Sequence, residues 1–501
     1  MNAALPLPNR FLGYKFDSNP VPGDVSVSAL TTITVVSVTP STATATTSLT
    51  PLQSQVLDSL LQGQNVFLTG GAGVGKSHVL KSIIDIMRSR GSKIIVTAST
   101  GVAATLLGGA TLHSQIGLGL AQEPLNVLLN KARRSVKLRE RWRLVDLLII
   151  DECSMLHPDF FDLCDQVLRV LRECDNPFGG VQLLLSGDFF QLPPVLPSGR
   201  DPALATFIFQ TTAWRTANLT IVNLVDIFRQ AGELAGILSR VRRAEHTLDD
   251  IIVLAGRVGA ILNSPLGVEP TRMYSHKICV DSINSQKLEE LTADAHVFTA
   301  RIFTEVDKTP KNRTSSNQPQ HLTLAQKEAM LADARVQILK NVPVPLDQSL
   351  KMGAQVMLVV NLDQESGLVN GSRGVITGFR MPPVGSTHGE SRVLMPVVQF
   401  MGKELLLNVY IWKHEIYGAG VVSYMQVPLR LAWAVTIHKA QGLSLDFVDM
   451  KLDRSVFEYG QSYVGLSRVR TLAGLRLTGF DPSAIRAHPL VKQFYAELDL
   501  A

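Results

Sequence analysis

The chain is poor in cysteine. Its 501 residues hold four, Cys153, Cys164, Cys174 and Cys279, with neither a C-x-x-C pair nor zinc-ligand spacing. That excludes a disulfide-stapled scaffold and a structural zinc module, and leaves reduced thiols in an intracellular protein as the expectation. No apolar run approaches the ~20 residues of a membrane span, and no segment repeats at a fixed period, so a solenoid is excluded. Net charge is also scarce, at +5. Any nucleic-acid surface must then be local rather than spread over the molecule. Apolar residues are plentiful at 46%, enough for two or three folded domains in a chain this long.

Residues 1–48 stand apart. From Val25 to Thr50 there is no charged residue and no periodic apolar pattern, only Ser, Thr, Val and Ala in quantity. This reads as a flexible tail. A cleaved organelle-targeting segment is the alternative, since such segments are Ser-rich and acid-poor. The two bases Arg10 and Lys15, set against Asp17 and Asp24, argue against it.

Folded sequence is expected from Leu49, with Thr50 capping a helix that runs to Gly63. Next comes NVFLTGGAGVGKSHVLK, Asn65 to Lys81. Val66, Phe67 and Leu68 read as a buried strand, and Gly70 to Ser77 fits G-x-x-x-x-G-K-[ST] before a helix. In that pattern Gly70, Gly71, Ala72, Gly73, Val74 and Gly75 curl their N–H groups around a phosphate, which larger side chains would obstruct. Lys76 reaches the β- and γ-phosphates, the Ser77 hydroxyl meets Mg²⁺, and the helix N-terminus adds its dipole. A nucleoside triphosphate is the expected ligand.

Strands and helices then alternate, which implies a parallel sheet with ligands at the carboxyl ends of its strands. LLIIDE, Leu147 to Glu152, delivers Asp151 to hold Mg²⁺ and Glu152 to orient and deprotonate a water. LLLSGDFFQLPPV, Leu183 to Val195, presents Asp188 and Gln191 from a loop stiffened by Pro193 and Pro194, where the glutamine amide can sense a γ-phosphate. The run Lys131 to Arg143 carries seven bases against one acid, Glu140. It is either a solvated helix face or a contact to nucleic-acid phosphates through Arg133, Arg134 and Lys137, with Trp142 available to stack on a base. Residues 225–300 read as helical and then irregular, and Asp307 to Gln320 as a polar mobile loop. From Gln355 short strands with glycine turns suggest a small β-barrel insert.

Taken together these motifs resemble superfamily 1 helicases of the petite-integration-frequency type, 5′-to-3′ DNA helicases more distantly related to the RecD helicases. The match runs from Leu49 to about Gly479. LTPLQ places Gln53 where the family reads adenine. STGVAA and TLHS, with Thr100, Gly101, His113 and Ser114, resemble the segment that holds single-stranded DNA in the first lobe. DECSM, PFGG and GDFFQLPPV resemble the hydrolysis motif, signature region and sensor. FRQ supplies Arg229 at the γ-phosphate. VTIHKAQGLSLD puts Gln441 and Gly442 at the nucleotide and Thr436, His438 and Lys439 on the stretch that links it to DNA. YVGLSRV supplies Arg468 as an arginine finger. Gly71, Val74 and Gly465 depart from the family's usual Ser, Thr and Ala.

The resemblance implies an α/β protein of two RecA-like P-loop NTPase lobes, 49–232 and 233–354 with 429–495, a basic insert at about 116–145, and an SH3-like β-barrel insert at 355–428. It implies ATP and Mg²⁺ as cofactors, with single-stranded and forked DNA as partners. It further implies no membrane, a monomer or weak self-association on DNA, and nucleus or mitochondrion as location. The expected activity is ATP-dependent 5′-to-3′ unwinding in genome maintenance. An ATPase switch that remodels DNA without processive unwinding is the rival, and a small-molecule kinase a third reading.

Overall fold

The computed structural model describes residues 49–499, except for 101–102, 105–106, 119–122, 197–200, 231, 263–268, 308–322, 341, 343, 361, 364–367, 369, 383–392, 401–402 and 417–418. The tail expected at 1–48 and most of the expected polar loop lie outside the described residues.

Thr50 opens the first helix, α1 (Pro51–Leu61). Its hydroxyl accepts from Gln53 N, and Gln53 Oε1 accepts in turn from Thr50 N at 3.1 Å, a reciprocal cap that stabilises by about 1 kcal/mol. Then follow β1 (Asn65–Gly70), α2 (Lys76–Ser89), β2 (Ile94–Ala98), β3 (Ala110–Thr111), β4 (Leu147–Asp151), β5 (Gln182–Ser186) and β6 (Leu219–Leu224). They form one parallel sheet in the order β3-β2-β4-β5-β1-β6. β4 shows why an unbroken apolar run suits this sheet. Leu148 and Ile150 enter the core on one face and Leu147 and Ile149 the core on the other. Burying each contributes about 1.5–3 kcal/mol. Parallel register leaves the carboxyl ends of β1, β4 and β5 side by side, which is where the candidate residues gather.

A second parallel sheet runs in the order Ala434–Thr436, Thr271–Tyr274, Val448–Leu452, Leu475–Phe480. Its core includes Leu234, Ile237, Leu238 and Val241 of the helix Glu233–Arg243, and also Ala72 of the loop after β1. The second lobe is therefore closed onto the first at the glycine loop. The strand Thr271–Tyr274 corrects the reading of 225–300 as helical and then irregular. With four residues and only Thr271 and Met273 fully buried, it is too short to show a period.

Antiparallel strands follow. One sheet has the order Lys403–Leu406, Met395–Phe400, Arg373–Arg380, Gln355–Leu358, Leu429–Leu431. Tyr410–Ile416, Gly420–Gln426 and Arg301–Val306 form another, and Asp347–Lys351 pairs with Ala295–Thr299. Antiparallel pairing thus begins well before residue 355. The last helix, Pro489–Asp499, returns to the first lobe. Phe494 stacks on Phe209 (4.4 Å) and Tyr495 on Phe190 (4.7 Å), so this helix, through to Leu498, completes the first core rather than the second. All four cysteines are free. No helix among the described residues is long and apolar enough to cross a membrane.

Candidate active site

The loop after β1 has the backbone its glycines suggest, with φ of +141° at Gly70, +83° at Gly73 and +89° at Gly75. At Gly73 a Cβ would lie 2.7 Å from both Arg229 Cβ and Gln230 Oε1. Only glycine fits both the left-handed turn and the close approach. Ala72 and Val74 are buried between them. Lys76 opens α2 and folds over the loop, its Nζ donating to Gly70 O (2.8 Å) and Gly71 O (2.9 Å). Burial lowers its pKa, partly offset by Asp188, Glu152 and Asp151. Ser77 is exposed in the first turn of α2. Gln53 turns its Nε2 towards Gly75, where the ring of Phe228, 61% exposed, also approaches.

Asp151 ends β4 and is buried. Glu152, next to it, sits at φ +51° and ψ +41°, a conformation costing about 1–3 kcal/mol in a non-glycine residue. Burial first, and then the neighbouring Asp151, push the Glu152 carboxyl up to about 7. Burial also raises Asp151. From the other lobe, Gln441 Nε2 donates to Glu152 Oε2 (2.9 Å) and approaches Gln191 Oε1 (3.4 Å). Gly442 turns the chain away at φ +81°. Gln441 Oε1 and Gln230 Oε1 are buried without a hydrogen-bond partner among the described residues.

Arg468 is 2% exposed. Its guanidinium donates to Val464 O (2.8 Å), Leu443 O (3.2 Å) and Ser467 Oγ (2.7 Å). Burial and then the charge of Arg229 hold it down at about 9, while burial lowers Arg229 as well. Among the described residues neither arginine has a carboxylate within salt-bridge distance. Two guanidiniums and Lys76 therefore face one cleft, across from Glu152 and Asp151, in surroundings that strengthen charge interactions. This donor set fits a polyphosphate. Ser77 and Asp151 fit a divalent cation held mostly by phosphate and water, as Mg²⁺ is. No cluster of three or more His, Cys, Asp or Glu among the described residues suits a protein-caged metal.

Sequence reasoning singled out Asp188 beside Gln191 but missed three contacts of the site. The Tyr463 hydroxyl accepts from Ala72 N at 2.6 Å, across the lobes. Asp188, on the first lobe, holds Arg242 of the second in a buried pair (2.8 Å), with the guanidinium over the rings of Phe190 (4.8 Å) and Tyr495 (5.0 Å). Gln230 Nε2 donates to Ser467 O (2.9 Å) and Val469 O (3.2 Å), bracing the turn that carries Arg468. Tyr463, Asp188 and Gln230 lie inside motifs already singled out, but only the folded contact shows which residue of each reaches across.

The nucleic-acid candidates are spread wider. Thr100 is half-buried, its hydroxyl accepting from Ala103 N (3.3 Å). His113 lies flat on Phe160, 3.6 Å between centroids and 3° between planes, while Ser114 is exposed. Thr436 caps the helix Ile437–Ala440, which carries His438 and the exposed Lys439. The basic run forms two helices, Leu125–Arg134 and Val136–Arg143, with Arg133 and Arg134 exposed. Arg139 and Arg143 are tied to Glu173. Trp142 corrects the expectation that it stacks on a base. It is fully buried in the first core, where its indole is packing material. Gly101 and the side chain of Lys137 lie outside the described residues.

Residues 48–247 match the family model for PIF1-like helicases, and 337–379 match the model for the 2B domain of the DNA helicase Pif1. The ATP-dependent DNA helicase PIF1 of Rattus norvegicus is 39% identical over 448 residues, 89% of this chain and 63% of that protein, so the chain spans under two thirds of that relative's length. The crystal structure of Pif1 helicase from Candida albicans is 32% identical with a TM-score of 0.73, covering 90% of this chain and 99% of that one. A Pif1 helicase from Bacteroides, in complex with ADP-AlF3 and ssDNA, is 30% identical with a TM-score of 0.60, covering 90% and 96%.

Proposed function

The chain belongs to the PIF1-like helicase family, and from that premise we propose that it is an ATP-dependent DNA helicase that moves 5′-to-3′ on single-stranded DNA and unwinds duplexes. The observation that carries this reading is the convergence of Lys76, Arg229 and Arg468, drawn from both lobes, around Glu152 and its neighbour Asp151, three cations against two carboxylates. A two-lobe cleft with such surplus charge suits a nucleotide bound between lobes. The Bacteroides relative held both ADP-AlF3 and ssDNA, which supports a nucleotide and a strand on one such chain.

In this reading the amides of 70–75 and Lys76 hold the phosphates, and Gln53 reads the base. Ser77 and Asp151 hold Mg²⁺, which adds charge neutralisation at the phosphates. Glu152, poised near neutrality, takes the proton of the attacking water. Gln191 and Gln441 connect the γ-phosphate position to both lobes, and Arg229 and Arg468 neutralise charge developing in the transition state. Arg468 engages fully only when the lobes close, so each turnover opens and closes the cleft and shifts the grip on a strand lying across both lobes. Thr100, Gly101, His113 and Ser114 form that grip on one lobe, Thr436, His438 and Lys439 on the other. The antiparallel strands after Gln355 make an SH3-like insert, and genome maintenance in nucleus or mitochondrion is the setting. The test measures ATP turnover with and without single-stranded DNA, then strand displacement on a duplex with a 5′ tail. Stimulation and displacement are expected. Stimulation without displacement makes the protein a remodelling ATPase instead.

A further inference from the structure

The aromatic layer that the last helix brings to the first core is mostly phenylalanine, with Phe67, Phe189, Phe209 and Phe494 in one cluster. Tyr495 differs. It is 1% exposed, and a phenol buried that far needs hydrogen-bond partners for its hydroxyl. It finds two. One is Thr69 Oγ1 at 2.6 Å, next to Gly70 at the start of the glycine loop. The other is Phe189 N, which donates to the hydroxyl at 3.3 Å. Phe189 follows Asp188, whose backbone carbonyl accepts from Gln191 N at 2.9 Å. The bond from Phe189 N therefore anchors the turn that presents Gln191. The ring of Tyr495 stacks on Phe190 with 17° between planes, and both rings lie under the guanidinium of Arg242. Arg242 in turn gives Asp188 both its Nε and its Nη2.

A phenylalanine would fill the same space, so packing alone does not account for the hydroxyl. We propose that Tyr495 is a positioning residue for ATP hydrolysis. Its hydroxyl holds the phosphate loop and the loop of Gln191 at a fixed spacing. Its ring completes the seat that Arg242 of the second lobe occupies when the lobes are closed. The proposal rests on the ATPase reading above and adds to it a residue beyond the last motif of the sequence. Neither partner of the hydroxyl holds the nucleotide's phosphates itself, and Lys76 is braced separately, by Gly70 O and Gly71 O. What Tyr495 steadies, Gln191 and the closed pair of lobes, acts on the γ-phosphate as it transfers. An interaction realised only at that stage raises kcat and leaves ground-state binding alone.

The experiment measures kcat and KM for ATP, with and without single-stranded DNA, and affinity for ADP and for ADP–aluminium fluoride, which mimics the phosphoryl group in transfer. Tyr495→Phe keeps the ring and removes the hydroxyl. It is expected to lower kcat by about twofold to tenfold, the range of one hydrogen bond, and to weaken ADP–aluminium fluoride in parallel. KM and ADP affinity should stay within about twofold of the parent's. Tyr495→Leu also unseats Arg242 and should cost about twofold to thirtyfold more, the range of a buried cation–π contact. Thr69→Val combined with Tyr495→Phe should lose no more than the worse of the two alone, because both remove one bond. Thermal melting of each variant sets an assay temperature at which all are folded. If Tyr495→Phe then turns over ATP at the parent's kcat, Tyr495 only packs and the proposal is refuted. A loss of ADP affinity as large as the loss in kcat refutes it too. A parent whose turnover DNA does not raise loses the helicase reading, while basal turnover and the two ADP affinities still decide the role of Tyr495.

Discussion

Thr111-Leu112-His113-Ser114 in the first lobe and Thr436-Ile437-His438-Lys439 in the second are built alike and used differently. Each follows a short strand at the edge of its parallel sheet. Each threonine caps a short helix, its hydroxyl accepting from the N–H three residues on, at 3.4 Å in one and 3.3 Å in the other. Leu112 and Ile437 are both fully buried. Beyond that they diverge. His113 is pressed flat on the buried Phe160, and Ser114 after it carries no charge. His438 stays at a distance from the exposed Phe457, and Lys439 after it stands near two more cations. The first turn is rigid and neutral, the second open and charged. The same division appears in the cleft, where the first lobe supplies the phosphate loop and both acids and the second supplies Arg468.

The largest effects should come from cutting that division on either side. Lys76→Ala is expected to abolish turnover and weaken nucleotide binding, because the phosphate clamp belongs to the first lobe. Arg468→Lys keeps a charge but loses the planar fork, and should lower DNA-stimulated turnover by about 10³-fold or more while nucleotide and single-strand affinity stay near the parent's. ATPase assays and equilibrium binding on both variants decide the matter. Should Arg468→Lys keep more than about a tenth of parent turnover, the second lobe contributes no finger and the contrast collapses.

Glu152 gives the next effect. Glu152→Gln should bind nucleotide normally and lose roughly 10²–10⁴-fold in turnover, since an amide cannot accept the proton. With the carboxyl near 7, the parent's rate should rise about tenfold from pH 6 to pH 8 as the base ionises, and the variant's profile should be flat there. Stability moves the other way. The folded pKa lies above the ordinary 4.5, so this group's contribution is fully present below 4.5 and is lost as pH rises through about 7. A parent profile without that inflection removes Glu152 as the base.

The smallest effect concerns the first lobe's basic helices. Replacing Arg133, Arg134 and Lys137 with Gln should weaken single-strand binding severalfold and reduce the salt slope by about 2, from three lost phosphate contacts. Titration at two salt concentrations reads this directly. Unchanged binding leaves these helices as a solvated face, and charge contact with DNA then rests on the second lobe.

What could be read in advance was local. LLIIDE carries both its burial and its chemistry within six residues, and the glycine loop carries its backbone requirement in its spelling. Trp142 could not be read, because the seven cations of its run point to a surface while the fold buries the ring in the first core. Tyr463 and the Asp188–Arg242 pair were invisible as well, being contacts between lobes. The departures from the family pattern become intelligible only in three dimensions. At Gly465 a Cβ would lie 2.6 Å from Met450 Cε, so methionine fills the space an alanine would need. At Gly71 a Cβ would come within 3.3 Å of the Tyr463 hydroxyl.

The return of the last helix to the first lobe has a consequence for how the molecule is made. Tyr495 bonds to Thr69 at 2.6 Å across 426 positions of chain, and Phe494 closes on Phe67, Phe189 and Trp214. At about 5–20 residues per second, a ribosome takes roughly 20–85 s to travel that distance. Throughout that interval the first lobe has its phosphate loop but not its final aromatic layer, and rings that end up buried face water. The nascent first lobe thus exposes aromatic surface, the kind that makes folding intermediates prone to aggregate, until this helix arrives.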